Sequence, residues 1–242
     1  MKQIKGLIFD YGATLDTNGI HWAEVLWKQY TCNQVDINYE DFREAYVYGE
    51  RAMAKQPLVK PTDNFLQVLR IKARLQLDYL QNQKKVLSLD YPTTQLAEKI
   101  ALTCYEEVKS TTKNTSEIVK MLKGEYKLGL VSNFYGNIRV ILKDFNLFCC
   151  FEQIIESSVV GIRKPDPAIY LLGVNSLELR PEEVIVIGDS YEKDIVPAHH
   201  IGCKTIWLRG KGWDDKPVDE TLPDAVIHDL AKLPEILKSL KY

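Results

Sequence analysis

From residue 115 to residue 240, strand-like and helical stretches take turns with little chain between them, and that alternation restricts the fold more than any other feature. Lys127–Val131, Phe151–Ile155, Val184–Ile187, Lys204–Leu208 and Ala225–Ile227 read as short strands rich in apolar residues. Thr115–Lys123, Asn137–Asn146, Pro167–Val174, Lys193–His200 and Leu230–Leu240 read as the helices around them. Gly124 ends the first, and Pro167 sits at a tolerated first-turn position of the third. Strands joined through helices lie parallel, and a parallel sheet is covered on both faces. Residues 4–9 add one more strand from the other end of the chain.

Between about Asn18 and Ser110 the strands disappear. Ile20–Tyr30, Tyr39–Lys55, Asp63–Tyr79 and Thr94–Lys109 read as helices, with Thr62 as the expected cap of the third. Leu66, Leu69, Ala73, Leu77 and Leu80 recur at helical spacing, as do Leu96, Ile100, Cys104 and Val108. Four such helices can bury their stripes against one another in a small bundle. The expectation is an α/β fold with a Rossmann-like, doubly wound parallel sheet and an inserted all-helical domain. Residues 1–17 and 110–242 form the core, and residues 18–109 the insert.

In open parallel sheets, ligands bind beyond the carboxyl ends of the strands. Polar residues collect there: Asp10 after the first strand, Ser132-Asn133 after the second, Lys164 in GIRKPDP, and Asp189 and Asp194 in GDSYEKD. Three carboxylates are hard oxygen ligands suited to Mg²⁺. A serine hydroxyl and a lysine ammonium suit a phosphate. Each residue alone has an ordinary reading as a turn residue, a helix cap or a solvated lysine. Their joint occurrence, each after or near a strand, points to phosphoryl transfer, which consists mostly of positioning and charge stabilisation.

Bulk composition removes other classes. Of 242 residues, 45% are apolar and 26% charged, with a formal net charge of −2, so no basic excess suggests nucleic acid. No apolar run is long enough to span a membrane, and MKQIKG leads into the first strand without a signal-peptide core. The five cysteines show no CxxC or metal spacing, as expected of reduced thiols in a cytoplasmic protein.

In this order, FDYGATLD, VSN, GIRKPDP and VIGDSYEKD resemble the four motifs of the haloacid dehalogenase superfamily, mostly Mg²⁺-dependent phosphatases. The resemblance covers nearly the whole chain, and the helical insert resembles the family's cap over the active site. It implies that Asp10 is the nucleophile, that Thr14 holds the turn, that Ser132 and Asn133 bind phosphate, and that Lys164 neutralises both. It implies Mg²⁺ on Asp10, Asp189, Asp194 and the Gly12 carbonyl. The implied partner is a small phosphorylated substrate, with no nucleic acid or membrane; the oligomeric state stays open and a monomer is compatible.

One position departs from the pattern. Where the family's phosphatases usually carry a second aspartate, which protonates the leaving group and then activates water, this chain has Gly12. A positioned general acid or base is worth about 10²- to 10⁴-fold in rate. Asp16 and His21 are the nearest candidates to replace it. His21 could shuttle a proton near neutrality, although an early-helix surface position is its plainer reading. Two other readings stay open. One is a nearly inactive member that binds a phosphorylated ligand or a protein partner. The other is a C–P bond hydrolase resembling phosphonoacetaldehyde hydrolase, which would need a Schiff-base lysine in the insert, whose lysines include Lys28, Lys55, Lys60 and Lys72. Retention of Asp189 and Asp194 counts against dehalogenation.

Overall fold

A computed structural model describes residues 3–83, 92–213 and 217–240. The first two residues of the MKQIKG lead-in, residues 84–91 of the expected insert and residues 241–242 lie outside it. Six strands form one parallel sheet in the order β3-β2-β1-β4-β5-β6. They are β1 Gly6–Phe9, β2 Lys127–Ser132, β3 Gln153–Glu156, β4 Val184–Gly188, β5 Lys204–Leu208 and β6 Ala225–Ile227. β1 lies between β2 and β4, and the strand order reverses direction around it. That switch point is where an open sheet opens a crevice.

The sheet buries both faces. Leu7 and Phe9 of β1 join one apolar cluster, while Ile8 joins another with Val131, Ile169 and Val186. This split follows from the period of two along a strand. Helix α7, Ala168–Ser176, covers the second face, with Gly173 packed close to Val131 and Ile8.

Between β1 and β2, where an insert over 18–109 is expected, lie α1 Trp22–Cys32, α2 Tyr39–Lys55, α3 Phe65–Asn82 and α4 Thr93–Lys123, the last running past residue 109. Their core runs without interruption into the first sheet face: Leu69, Leu77, Ile100 and Cys104 belong to the same cluster as Leu128 and Ile187. The cap of α3 is Asn64 rather than Thr62. Asn64 accepts from Gln67 N, and the Gln67 side chain accepts from Asn64 N, a reciprocal capping box.

α4 also differs from expectation, because the two helices read at 94–109 and 115–123 are one helix of 31 residues. The intervening Ser110-Thr111-Thr112-Lys113-Asn114 looks like a breaker by propensity. Inside the helix its hydroxyls turn back on the helix's own carbonyls. Thr111 donates to Glu107 O at 3.2 Å, Thr112 to Val108 O at 2.8 Å and Thr115 to Thr111 O at 3.2 Å. The side chains thereby stop competing for non-helical geometry.

The remaining helices are short: α5 Ile138–Asp144, α6 Ser157–Val160, α8 Val196–His200 and α9 Leu233–Ser239. The helix expected over 193–200 is a wide π-type turn at Tyr191–Ile195 that narrows into α8. No helix among the described residues is long and apolar enough to cross a membrane.

Candidate active site

β1 ends at Phe9, and Asp10 follows with its N–H donating to Ile187 O of β4 at 3.0 Å. The sheet therefore fixes the backbone of this carboxylate. Asp10 is buried, with Lys164 Nζ at 2.5 Å from Oδ1. The same ammonium lies 2.8 Å from Asp194 Oδ1, which also accepts from Tyr170 OH at 2.7 Å. Thr14 Oγ1 lies 3.2 Å from Asp189 Oδ1 and 3.4 Å from Asp10 Oδ2, and accepts from Asp189 N at 3.0 Å. One hydroxyl thus joins the loops after β1 and β4.

The π-type turn sets Asp194 in place. Ser190 N donates to Asp194 Oδ2 at 2.9 Å, and the Asp194 carboxylate lies directly over Gly188. Any side chain at Gly188 would overlap it, so the glycine in GDSYEKD is needed for this approach. Asn133 is bonded at both ends of its amide to the backbone of Lys164, at 3.1 Å from Nδ2 to O and 3.0 Å from N to Oδ1. Ser132 is buried at the end of β2 beside this clamp.

Asp10, Asp189 and Asp194 each present an oxygen, all within 4.8 Å of one another. When ionised they face one ammonium in contact among the described residues, Lys164, leaving an excess of two negative charges. Burial raises the Asp10 pKa to about 6, with Lys164 opposing the rise and Asp194 adding to it. Burial, then the charges of Asp194 and Asp10, pushes Asp189 well above the usual carboxylate range. Burial works against the Lys164 ammonium, but Asp10 and Asp194 outweigh it and raise its pKa. A hard, all-oxygen donor set with two surplus negative charges suits a divalent cation of the Mg²⁺ type.

Lys164 is the counter-charge for two buried carboxylates, so its removal is expected to cost stability. Lys164→Met leaves Asp10 and Asp194 without their ammonium, at about 3–5 kcal/mol for a broken buried pair. Urea unfolding at pH 8 measures the loss. The deficit should shrink as pH falls toward 6, because Lys164 opposes the rise of the Asp10 pKa and its loss lets Asp10 take up its proton at higher pH. An unchanged midpoint at pH 8 would contradict this account.

Asp16 and His21 make their hydrogen bonds outside this cluster. Asp16 is buried, and Oδ1 accepts from Ala13 N at 2.6 Å while Oδ2 accepts from Trp22 Nε1 at 2.8 Å. Burial lifts its pKa to about 7 against those two hydrogen bonds. His21 caps α1, its Nδ1 accepting from Ala23 N at 3.1 Å, and packs between Tyr46 and Trp213. Burial, with Lys193 nearby, lowers its pKa to about 4. At Gly12 a Cβ would meet no atom within 4 Å. Of Lys28, Lys55, Lys60 and Lys72, only Lys72 is buried, and it lies 2.7 Å from Glu50.

Two contributors were not legible in the sequence. Tyr170 reaches Asp194 from α7, where its spacing is that of an ordinary core residue. Trp207 donates from Nε1 to Asp189 O at 2.8 Å and so braces the loop after β4 from β5.

Residues 4–202 match the family model described as haloacid dehalogenase-like hydrolase. A glyceraldehyde 3-phosphate phosphatase from Pyrococcus furiosus is 29% identical over 98% of this chain and 95% of its own. A phosphoglycolate phosphatase from Mannheimia succiniciproducens is 27% identical over 66% of this chain and 74% of its own. Among solved structures, the HAD-hydrolase YfnB from Bacillus subtilis, bound to magnesium, superposes with a TM-score of 0.57 at 18% identity, covering 98% of this chain and 99% of its own. A dehalogenase superposes at 0.65 with 16% identity, covering 98% of each chain. At those identities the superpositions speak for the fold, whereas the family match spans both the strand-end motifs and the insert: the chain belongs to the haloacid dehalogenase-like hydrolases and is a hydrolase.

Proposed function

We propose that this hydrolase is a Mg²⁺-dependent phosphohydrolase that cleaves a small phosphorylated metabolite through an aspartyl-phosphate on Asp10. The observation that carries this reading is the pairing of Asp10 Oδ1 with Lys164 at 2.5 Å, beside two further carboxylates at the sheet's switch point. The named phosphatases among the relatives support the same class.

In this reading Asp10 attacks phosphorus, the bond from phosphorus to the leaving oxygen breaks, and water later splits the acyl phosphate. Lys164 holds Asp10 ionised and meets the charge on the phosphoryl oxygens. Thr14, Ser132 and Asn133 fix the loops around that group. Asp10, Asp189, Asp194 and the Gly12 carbonyl would hold the cation, which supplies charge neutralisation at the transferring phosphoryl group when bound.

Asp16 and His21 do not replace the missing acid. Both Asp16 oxygens are taken by N–H donors that shape the loop, and His21 is neutral near pH 7 with Nδ1 used as a cap. The leaving oxygen thus departs without an enzyme proton, which favours stabilised leaving groups such as aryl esters, anhydrides and acyl phosphates. The Schiff-base reading also loses support. It needs a neutral amine, and burial of the Lys72 ammonium is outweighed by Glu50, which raises its pKa.

The test is hydrolysis of p-nitrophenyl phosphate, an aryl ester. Turnover is expected with Mg²⁺, none after chelation, and recovery on adding Mg²⁺ back. Activity should fall as pH drops below about 6, where Asp10 takes up its proton, and half-saturation should then require more Mg²⁺. Absence of metal-dependent turnover at any pH would remove the reading.

A further inference from the structure

β3 ends in a carboxylate that the chemistry above does not use. Glu156 is the last residue of β3 and the register partner of Ser132 at the end of β2. It is 5% exposed. Its Oε1 accepts from Gly136 N at 2.5 Å and from Ile138 N at 3.4 Å, across 20 and 18 residues of chain. Among the described residues no lysine or arginine pairs with it, so backbone N–H groups meet its charge. Burial raises its pKa, and the N–H groups of Gly136, Ile138 and Asn137 oppose the rise. A buried carboxylate without a counter-ion costs stability unless such donors hold it, and its presence calls for a reason.

The start of α5 does not by itself supply one. Asn137 precedes that helix and is of the residue type that caps a helix locally, yet it makes no such bond. Its Nδ2 donates instead to Asp63 O, between α2 and α3, at 2.8 Å, and its Oδ1 is left without a donor. Tyr135 also turns toward the helices between β1 and β2, its OH donating to Glu50 Oε2 of α2 at 3.1 Å. The loop after β2 is thus drawn away from the sheet by two side chains and tied back to it by Glu156. Ser157, the next residue, adds a second tie, its Oγ accepting from Phe134 N at 3.2 Å. The tied loop follows directly on Ser132 and Asn133, and Asn133 grips the backbone of Lys164 through both ends of its amide. Lys164 in turn meets Asp10. The chain of contacts from Glu156 to the proposed nucleophile is therefore unbroken.

We propose that Glu156 is a positioning residue of the phosphate site: by tying Gly136 and Ile138 to the end of β3, it fixes Ser132, Asn133 and, through Asn133, Lys164 for the phosphoryl group. This rests on the phosphate-site reading above. Glu156 itself touches no substrate in this account. It acts through the backbone of the loop, and what matters is the reach of its side chain and the acceptor at its tip. Removing that acceptor leaves buried N–H groups without a partner, so the loop must shift to find new ones. The groups that contact the phosphoryl oxygens shift with it.

The experiment is calorimetric titration of the full chain with inorganic phosphate in saturating Mg²⁺. Glu156→Met keeps the bulk but removes the acceptor, and is expected to weaken phosphate binding by at least about tenfold, the scale of a small misplacement of contacting groups. Glu156→Gln retains an oxygen at the same reach and should stay within about threefold of the parent. A role in stability alone would lower the number of sites as protein unfolds and leave the dissociation constant of the folded protein as it was. If Glu156→Met does not fold, Glu156→Asp is the readout. It keeps the charge, falls one methylene short of Gly136, and should bind phosphate more weakly than Glu156→Gln. Parental affinity in Glu156→Met, or Glu156→Asp binding no more weakly than Glu156→Gln, would overturn the proposal and leave the phosphate site standing. No binding of phosphate by the unmodified chain would remove the phosphate-site reading, and the positioning role with it.

Discussion

Gly12→Asp is expected to raise hydrolysis of alkyl phosphate esters by about 10²- to 10⁴-fold, the range of a positioned general acid and base. The backbone of the active-site loop can take this substitution. A Cβ at position 12 meets nothing within 4 Å, and Gly12 is not among the glycines with positive φ. An alkoxide leaving group needs a proton and so gains in the first step. A p-nitrophenolate does not, and its gain is limited to attack of water on the aspartyl-phosphate. The ratio of the two gains separates the steps. Comparing kcat/KM of the two proteins on an alkyl and an aryl ester checks this, and equal rates on both substrates would show that Gly12 is not the site of a lost acid.

The second large effect is that of Asp10→Asn, which should bring turnover to the level of protein-free solution, because an amide oxygen does not form the acyl phosphate. The same change should stabilise the metal-free protein at high pH. The Asp10 pKa is raised to about 6 from 3.8, so the native state binds this proton more tightly than the unfolded chain. The stability that this group contributes is present below about pH 4 and lost as pH rises through 6. Asparagine has no such loss. Above pH 6 the variant should therefore gain on the order of 1–3 kcal/mol, at about 1.4 kcal/mol per pKa unit. Below pH 4 the difference should close. Thermal melts with chelator at pH 4 and pH 8 measure it. Lost activity with gained stability is the mark of a functional charge, whereas a structural aspartate would lose both.

Six strands read from the sequence are the six strands of the sheet, because a doubly covered parallel strand must be apolar at nearly every position and has little freedom to be anything else. Asp10 and Asp189 stood out for the same reason, since each directly follows such a run, whereas Lys164 and Asp194 stood out only within GIRKPDP and GDSYEKD. Legibility failed where side chains redirect the backbone's hydrogen bonds. Thr111, Thr112 and Thr115 look like a break and instead support a helix from within. Asn64, not Thr62, caps α3, because only Asn64 stands three residues before Gln67. Gly188 and Tyr170 act on Asp194 through space, at separations along the chain that no periodicity reveals. Lys72 looked like the other lysines of the stretch until the packing of α2 against α3 set it beside Glu50.

α4 has a mechanical consequence. At 31 residues it is a beam about 46 Å long, anchored at one end by Val119 and Leu122 in the apolar core shared with the sheet, and gripped along the rest by the insert. The insert is thus cantilevered rather than tethered. One of its two junctions with the sheet is a helix with its hydrogen-bond ladder intact, and the other is the loop braced by Asp16. A slack linker permits swinging in any direction, but a beam permits only flexure in the plane where it is weakest. In α4 that compliance is greatest at the hydroxyl-rich turn between Thr111 and Ser116, where the ladder carbonyls already serve two donors. Flexure there would carry α1 to α3 along the sheet face that shares their core, like the moving arm of a caliper.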